Sequence, residues 1–405
     1  MENESKSDRS VIVAGTGPAG LIAALALADI GVPVKLVGPP ASSSDGRTTA
    51  LMTPALALLD SLGVLSSLEP RAAPLKVMRI VDATRRLFRS PVVTFRAAEI
   101  GEERFGLNMP NRVLNAVLEA AVLARPTIHW RRALVEVWSI GDEQASAKLS
   151  DGSTVEALLA VAADGRLSPA RDAASIKTSG RTYPQAALVL NFSHTRGHSF
   201  ISTEFHTETG PFTQVPLPGD RSSLVWVLKP EQARELSEVS DDVLSALVEE
   251  KMQSLLGRVT VEPGRQVYPL GATLPARFAR NRVALVGEAA HVFPPIGAQG
   301  LNLGVRDVRD LVDVIEKCGG DIGSKAVLDA YDRRRKPDVV ARSAAVNLLN
   351  VSLLSSMLPA QLARSFTLGA VGGFAPLRAL FMREGLQPGS GLARVFGDLR
   401  EQVGR

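Results

Sequence analysis

The run Gly15-Thr-Gly17-Pro-Ala-Gly20 limits the fold more than any other stretch of this chain. It follows a short apolar run, residues 10–14, of the kind that forms a fully buried parallel strand. An Ala/Leu-rich segment comes next and reads as a helix to about Ile30, then a second strand over Val34–Val37. Strand, G-x-G-x-x-G turn and helix together make a βαβ unit built for a dinucleotide. The first glycine permits the tight turn, the second lets a pyrophosphate approach the backbone, and the third lets the helix pack on the strand. Pro18 and Ala19 lie inside the same cradle. One element of the fingerprint is absent. The acid expected at the end of the second strand, to hold a ribose hydroxyl, is replaced by Gly38, and Asp45 in the next loop is its nearest substitute.

A second constraint lies far along the chain, in NRVALVGEAAHVFPPIGAQGLNLGVRDVRD (residues 281–310). It reads as a buried strand over 283–286, a small-residue turn over 287–290 and a Pro/Gly loop over 293–300. A helix is expected from about Leu301 towards Lys317. Gly297, Gly300 and Gly304 leave backbone N–H groups uncovered where that helix begins. A helix N-terminus carries about half a positive charge and several unpaired donors, so the loop suits something anionic, flat and large.

Between these ends, three pieces point to the same ligand. Arg47 follows Asp45-Gly46 in a loop after the second strand, and can neutralise a pyrophosphate by bidentate pairing or stand as a solvated loop residue. Arg112 sits in the first turn of a helix running from Asn111 through Ala124, the wrong end for a cation unless an anion is near. Asp164-Gly165 ends a buried strand before Ser168-Pro169 opens a helix, the edge at which open α/β sheets bind ligands.

From 184 to 227 the texture changes to strand-like runs separated by Gly/Pro/Asp turns, followed by an amphipathic helix over 243–256 and a strand to Leu270. This reads as an antiparallel sheet inserted into the dinucleotide fold. Residues 128–137 and 145–149 alternate like hairpin strands, with Asp151-Gly152 as a turn. Val346, Leu349, Leu353 and Met357 follow helical spacing, Pro359 ends that helix, and a second apolar patch follows over 366–382. The expected fold is α/β: a Rossmann-like domain (1–76, 105–180, 271–345), an inserted sheet domain (77–104, 181–270) and a helical end (346–405).

Composition excludes several classes. Hydrophobic residues at 45% and charged residues at 22% suit a globular enzyme. The net charge of +4 is scattered rather than striped with aromatics, which argues against nucleic acid. The lone Cys318 forbids an internal disulfide or a cysteine metal cluster and suggests a reducing compartment. His194, His198 and His206 match no metal spacing, so no metal is expected. MENESKSDRS is too polar to begin a secretory signal, and residues 21–37 are broken by Asp29, Gly31, Pro33 and Lys35. The expectation is a cytoplasmic protein that meets the inner face of a membrane peripherally at most.

GTGPAG, DGRTTAL, NRVL, AADGRLSPAR, TGPFTQVPLP…SLVWV and VALVGEAAHVFPPIGAQGLNLGVRD, in that order, resemble the flavin-dependent aromatic hydroxylases. Within them the chain is most similar to the branch acting on polyprenylated precursors of ubiquinone. The resemblance implies FAD, with Gly15, Gly17 and Gly20 at its pyrophosphate, Arg47 and Arg112 along it, and Asp164-Gly165 in a second fingerprint. It places Gly287-Glu288 at the ribityl chain, where the family usually has Gly-Asp. Pro295, Gly297, Gln299 and Gly300, with Leu301 and Asn302, would aim N–H donors at the pyrimidine edge. NADH or NADPH would reduce the flavin, O₂ would react with it, and one oxygen atom would pass to an electron-rich ring. No second G-x-G-x-x-G follows a strand, so the nicotinamide is expected to bind transiently. No catalytic acid or base stands out. Tyr183, His206 and Tyr268 are candidate partners of a phenol. Two other readings are an FAD monooxygenase of a soluble aromatic metabolite and a flavin-binding accessory subunit without catalysis. The polyprenyl reading brings partners with it: a membrane surface or a biosynthetic complex that delivers the substrate.

Overall fold

The computed structural model describes residues 9–42, 45–84, 90–294, 299–354, 369 and 373–386. The apolar runs assemble into a six-stranded sheet in the order Ala279–Arg280, Val283–Leu285, Leu159–Ala162, Val11–Ala14, Val34–Val37, Ile128–Arg131. All its pairings are parallel except the short edge pair at 279–284. The central strands are buried throughout, as a sheet covered on both faces requires. Pro18–Asp29 is buried from Gly20 to Ala28. A helix apolar all round belongs inside the core, and this one packs between the sheet and the helix Gln299–Glu316. The sheet order sets the ends of Val11–Ala14 and Leu159–Ala162 side by side, so the glycine fingerprint and Asp164 share one edge.

Ile128–Arg131 departs from the expected hairpin. It pairs in parallel with Val34–Val37 at the sheet edge. The hairpin is formed instead by Val135–Ile140 and Ala145–Leu149, with Thr154–Ala157 as its third strand. The physical reason is connection length. The helix Asn111–Leu123 is a crossover that returns the chain to the parallel sheet within a few residues. Asp151-Gly152 does make a turn, but between Ala145–Leu149 and Thr154–Ala157 rather than within the expected hairpin, with Gly152 at φ +82° and Ser153 N donating to Asp151 Oδ1.

The inserted sheet has eight strands, running Val259–Val261, Thr178–His194, Arg221–Leu228, Gly210–Leu217, Ile201–Thr207, Val77–Asp82, Val93–Arg96, with Gln266–Pro275 also on Thr178–His194. It is antiparallel but for one pair, Val77–Asp82 with Ile201–Thr207. Those two strands come from distant parts of the chain, so no hairpin dictates their direction. One face carries Leu188, Leu190, Phe192, Phe205, Phe212, Leu224 and Trp226 against Leu244, Val248 and Met252. The helix expected at 243–256 is present as Asp241–Lys251, and a second helix, Pro230–Glu238, precedes it. Pro230–Glu238 stops before Ser240, whose hydroxyl caps Asp241–Lys251 by accepting from Val243 N.

The helix expected near Leu301 starts two residues earlier, at Gln299. The helix Lys325–Leu354 begins well ahead of the expected segment and carries Pro337 within it. Met357 and Pro359 lie outside the described residues, as do the side chains at 346, 349 and 353. The second apolar patch contains the helix Ala375–Leu386, whose Met382 is buried against Ala97, Ile100 and Phe105. Among the described residues, no helix is long and apolar enough to cross a membrane.

Candidate active site

The glycine fingerprint forms a cradle that only glycine can line. A Cβ on Gly15 would lie 2.1 Å from Ala163 O, and one on Gly20 would lie 2.0 Å from Gly15 O. Gly17 is different: its Cβ would meet nothing within 4 Å, so the space beside it is open to a ligand. Gly17 caps the helix Pro18–Asp29 without any side-chain acceptor, leaving the first N–H groups free for an anion. A cleft of about 370 Å³ runs from Thr16, Gly17 and Pro18 past Pro39–Ser42, Asp45, Arg47 and Asn115 to Tyr268.

Asp164 closes the edge beside Gly15. Its Oδ2 accepts from Ala170 N at 3.1 Å, capping the helix Pro169–Ala173, while Oδ1 is buried and finds no partner among the described residues. Burial pushes its carboxyl upward, and the hydrogen bonds it accepts only partly offset this. Gly165, at φ +86°, has open space where a side chain would stand.

Gly287 brings the two ends of the sequence together. It has φ +61°, its Cβ would sit 2.9 Å from Ala19 Cβ, and a Cβ on Gly304 would be 3.2 Å from Gly287 Cα. Fingerprint helix, Gly287-Glu288 turn and Gln299–Glu316 helix therefore touch through small residues. Beneath the turn lies a charged network. Asp307, fully buried, accepts from Gly287 N at 3.0 Å and His291 Nε2 at 2.7 Å on one oxygen, and from Arg335 Nε at 2.8 Å on the other. Arg335 also donates to Asp310 at 2.7 Å and Asp338 at 3.0 Å. Burial would lower the Arg335 guanidinium, but Asp307 and its neighbours more than reverse this and hold it charged. Arg342 continues the chain, donating to Asp338 Oδ1 at 3.0 Å and to Gln299 Oε1 at 2.9 Å. Both ends of the loop 287–299 are thus tied to one long helix.

Arg47 meets Asp45 bidentately, Nε and Nη2 each at 2.8 Å, and Asn111 donates to the same carboxylate at 3.1 Å. Burial alone would raise Asp45, but Arg47 outweighs it and holds the carboxyl below its usual range. Asp45 is therefore engaged by Arg47 and Asn111. Arg47 lies 5.9 Å from the Tyr268 ring centroid. Its guanidinium is raised first by the Asp45 hydrogen bond, and Tyr268 and Glu288 add to the rise, which sets the exposed Glu288 within electrostatic reach. Arg112 is exposed on the first turn of its helix and pairs with no acid among the described residues. Asn302 sits in the first turn of Gln299–Glu316, where its amide accepts from Met52 N and donates to Ala50 O, each at 2.8 Å. The donors left over at that helix start, on Gly300 and Leu301, are backbone N–H groups. Pro295 and Gly297 lie outside the described residues.

The uncovered face of the eight-stranded sheet turns toward this cradle. Asn191 donates to Gly46 O at 2.9 Å, Asn108 reaches Ser223, and Tyr268 lies over Arg47, all from that face. Across it the register sets Val189, Val225, Thr213, Glu204 and Ile80 in one row, each half-buried. Glu204 interrupts the apolar row. Its Oε1 accepts from the buried His206 Nε2 at 2.8 Å, and its Oε2 from Thr213 Oγ1 at 3.3 Å. Tyr183 packs with Ala187, Val227 and Leu270 in a cluster that also takes in Val189 and Val225 of the row, and Tyr268 lines the cleft beside Gly17. His194 and His198 stand apart on the helix-covered side, and no group of metal ligands occurs among the described residues.

Of the sequence-derived residues, Gly15, Gly17, Gly20, Arg47, Asp164, Gly287 and Asn302 lie on adjoining elements around the fingerprint, whereas Arg112 stands exposed with no contact among the described residues that ties it to them. Asp307, Arg335, Asn115 and Glu204 were missed. Only the alternation that puts Glu204 and His206 on one strand face, two residues apart, was available to find the last of them. An open Gly17, a helix start without a cap, and acceptors left unpaired on Asp164 and Asn115 fit a large anionic dinucleotide carrying hydroxyl groups.

Comparison with known proteins agrees. The FAD binding domain family matches residues 8–345. The chain is 33% identical to a ubiquinone hydroxylase, UbiL, of Rhodospirillum rubrum, over 93% of this chain and 89% of that protein. It is 28% identical to the 3-demethoxyubiquinol 3-hydroxylase of Escherichia coli, over 89% and 94%. The fold is that of p-nitrophenol 4-monooxygenase PnpA from Pseudomonas putida DLL-E4, with a TM-score of 0.76, 22% identity, and coverage of 95% and 98%. The chain belongs to the FAD-binding family of flavin-dependent aromatic hydroxylases, in the branch that contains the ubiquinone hydroxylases.

Proposed function

We propose that this enzyme hydroxylates the aromatic ring of a polyprenylated ubiquinone precursor, using NADH or NADPH and O₂. The half-buried apolar row facing the cradle, broken only by Glu204 and Thr213, carries the reading: it offers a flat greasy surface with one polar point. The names of the relatives support the pathway. FAD, when bound, takes electrons from the nicotinamide and activates O₂. The chain's own residues hold and aim. Gly15, Gly17, Pro18, Ala19 and Gly20 take the pyrophosphate, flanked by Arg47 and Arg112. Asp164, Gly165, Gly287 and Glu288 serve the ribityl side, and the start of Gln299–Glu316, with Gly297 ahead of it, gives N–H donors to the pyrimidine edge, Pro295 fixing the chain that leads to them without donating. Such donors stabilise negative charge on the reduced ring.

On the sheet, Val189, Val225 and Ile80 exclude water from the substrate ring. Glu204, held by His206 and Thr213, accepts the ring hydroxyl and fixes which carbon faces the flavin. Residues 1–76, 105–180 and 271–345 would hold FAD, and 77–104 and 181–270 the ring. A polyprenyl substrate lives in a bilayer, so the reading includes peripheral contact with a membrane, which flotation with liposomes tests. The principal experiment is mass analysis of quinones after gene deletion. An under-hydroxylated precursor is expected, and a normal ubiquinone pool would defeat the assignment.

A further inference from the structure

The end of strand Val34–Val37 poses a problem for any bound dinucleotide. Folds of this type place an acid there for the adenosine ribose, and this chain has Gly38 at φ +149°. A Cβ at that position would lie 2.9 Å from both Cγ2 and Oγ1 of Thr16. Thr16 is itself fixed, since its hydroxyl donates to Pro39 O, and Trp130 Nε1 donates to Gly38 O at 2.9 Å. The acid has been lost, and the space it would enter has been filled.

Across the same cleft stands Asn115, on the buried face of the helix Asn111–Leu123. It is 6% exposed, and its Oδ1 is buried without a hydrogen-bond partner among the described residues. Leaving a buried amide oxygen unpaired is unfavourable unless something fills the place. The neighbouring polar groups do not. Asn111, one turn earlier, is engaged by Thr49 and Asp45, and Glu119, one turn later, accepts from Ala41 N at 2.8 Å and so pins the loop after the strand. Asn115 is left facing the cleft between Thr16 and Pro39–Ser42, where the adenosine end of a dinucleotide belongs.

We propose that Asn115 replaces the missing acid and holds the adenosine ribose of FAD. A carboxamide carries an acceptor and a donor pair side by side. It can take the proton of one ribose hydroxyl and donate to the other, so a vicinal diol satisfies both ends. The recognition moves from the end of the second strand to a crossover helix, and from a charged group to a neutral one. It concerns the cofactor's adenosine half and stands whatever the ring substrate is.

The test is titration of the apoprotein, followed by flavin fluorescence, with FAD and with its analogue lacking the adenosine 2′-hydroxyl. Wild type should bind FAD about tenfold tighter than the analogue, the factor that one net hydrogen bond gives. Asn115→Ala should bind the two alike, Asn115→Asp should recover a preference for FAD, and Glu119→Gln should keep the wild-type preference. Equal binding by wild type overturns the inference without any variant, which covers the case of an Asn115→Ala protein that does not fold. A preference surviving in Asn115→Ala, or erased by Glu119→Gln alone, overturns it as well.

Discussion

The two walls of the active site are built on opposite principles. Beneath the Gly287-Glu288 turn, Asp307, Arg335 and Asp310, with the half-buried Asp338, form a charged network in which nearly every partner is supplied by protein. Opposite, the sheet row Val189–Val225–Ile80 is apolar and half-buried, with Glu204 as its one charged member. The first wall is over-determined: several contacts fix each group, so Gly287 and Gln299 hold their places before any ligand arrives. The second wall is completed only by what lies on it. A cofactor that stays needs the former, and a substrate that must enter and leave needs the latter.

The widest separation between the walls should come from Asp307→Ala. It takes from the buried Arg335 its one fully buried acid partner and removes the acceptor of both Gly287 N and His291. Removing one member of a buried pair costs about 3–5 kcal/mol. Urea unfolding should show a loss of that size, and the purified protein should have lost most of its yellow colour. A variant as stable and as yellow as wild type would mean that the network is not what holds the turn.

Little of that wall was legible in the sequence, whereas the cradle was. Gly15, Gly17 and Gly20 act through their own backbone, between a strand and a helix that adjoin them in sequence, so spacing alone carries the information. Asp307 and Asp310, or Arg335, Asp338 and Arg342, sit at helical intervals that read equally well as a solvated face. Only the packing of two helices from separate segments buries them together. Gly38 gives the reverse lesson: the sequence reads it as a missing acid, and the structure adds that the Thr16 side chain occupies the space a Cβ there would need. Ile128–Arg131 was misread because alternation fits an edge strand of a parallel sheet as well as a hairpin.

Glu204→Gln probes the second wall and should reverse the pattern. The side chain is half-buried and the amide keeps its size, so stability should change by less than about 1 kcal/mol. The hydrogen bond to a ring hydroxyl loses its charge, a difference of about 1–1.5 kcal/mol. That corresponds to a fall in kcat/KM of roughly 5- to 10-fold, and FAD content should stay at the wild-type level. Unchanged kinetics with a phenolic substrate would remove Glu204 from the ring's contacts.

The smallest effect expected belongs to the network's outer edge and depends on pH. Burial alone would raise the Asp338 carboxyl, but Arg335, followed by Arg342 and Arg306, pulls it below its ordinary value of 3.8. The folded state therefore releases this proton more readily than the unfolded chain does. Stability from the group is fully present above the unfolded value and is lost as pH falls through the lower, folded one. Asp338→Asn should accordingly unfold at a lower urea concentration near pH 7, and its curve should approach that of wild type below about pH 3.8. Parallel acid limbs for Asp338→Asn and wild type would show that Asp338 gains nothing from its arginines, and that the buried network ends at Asp310.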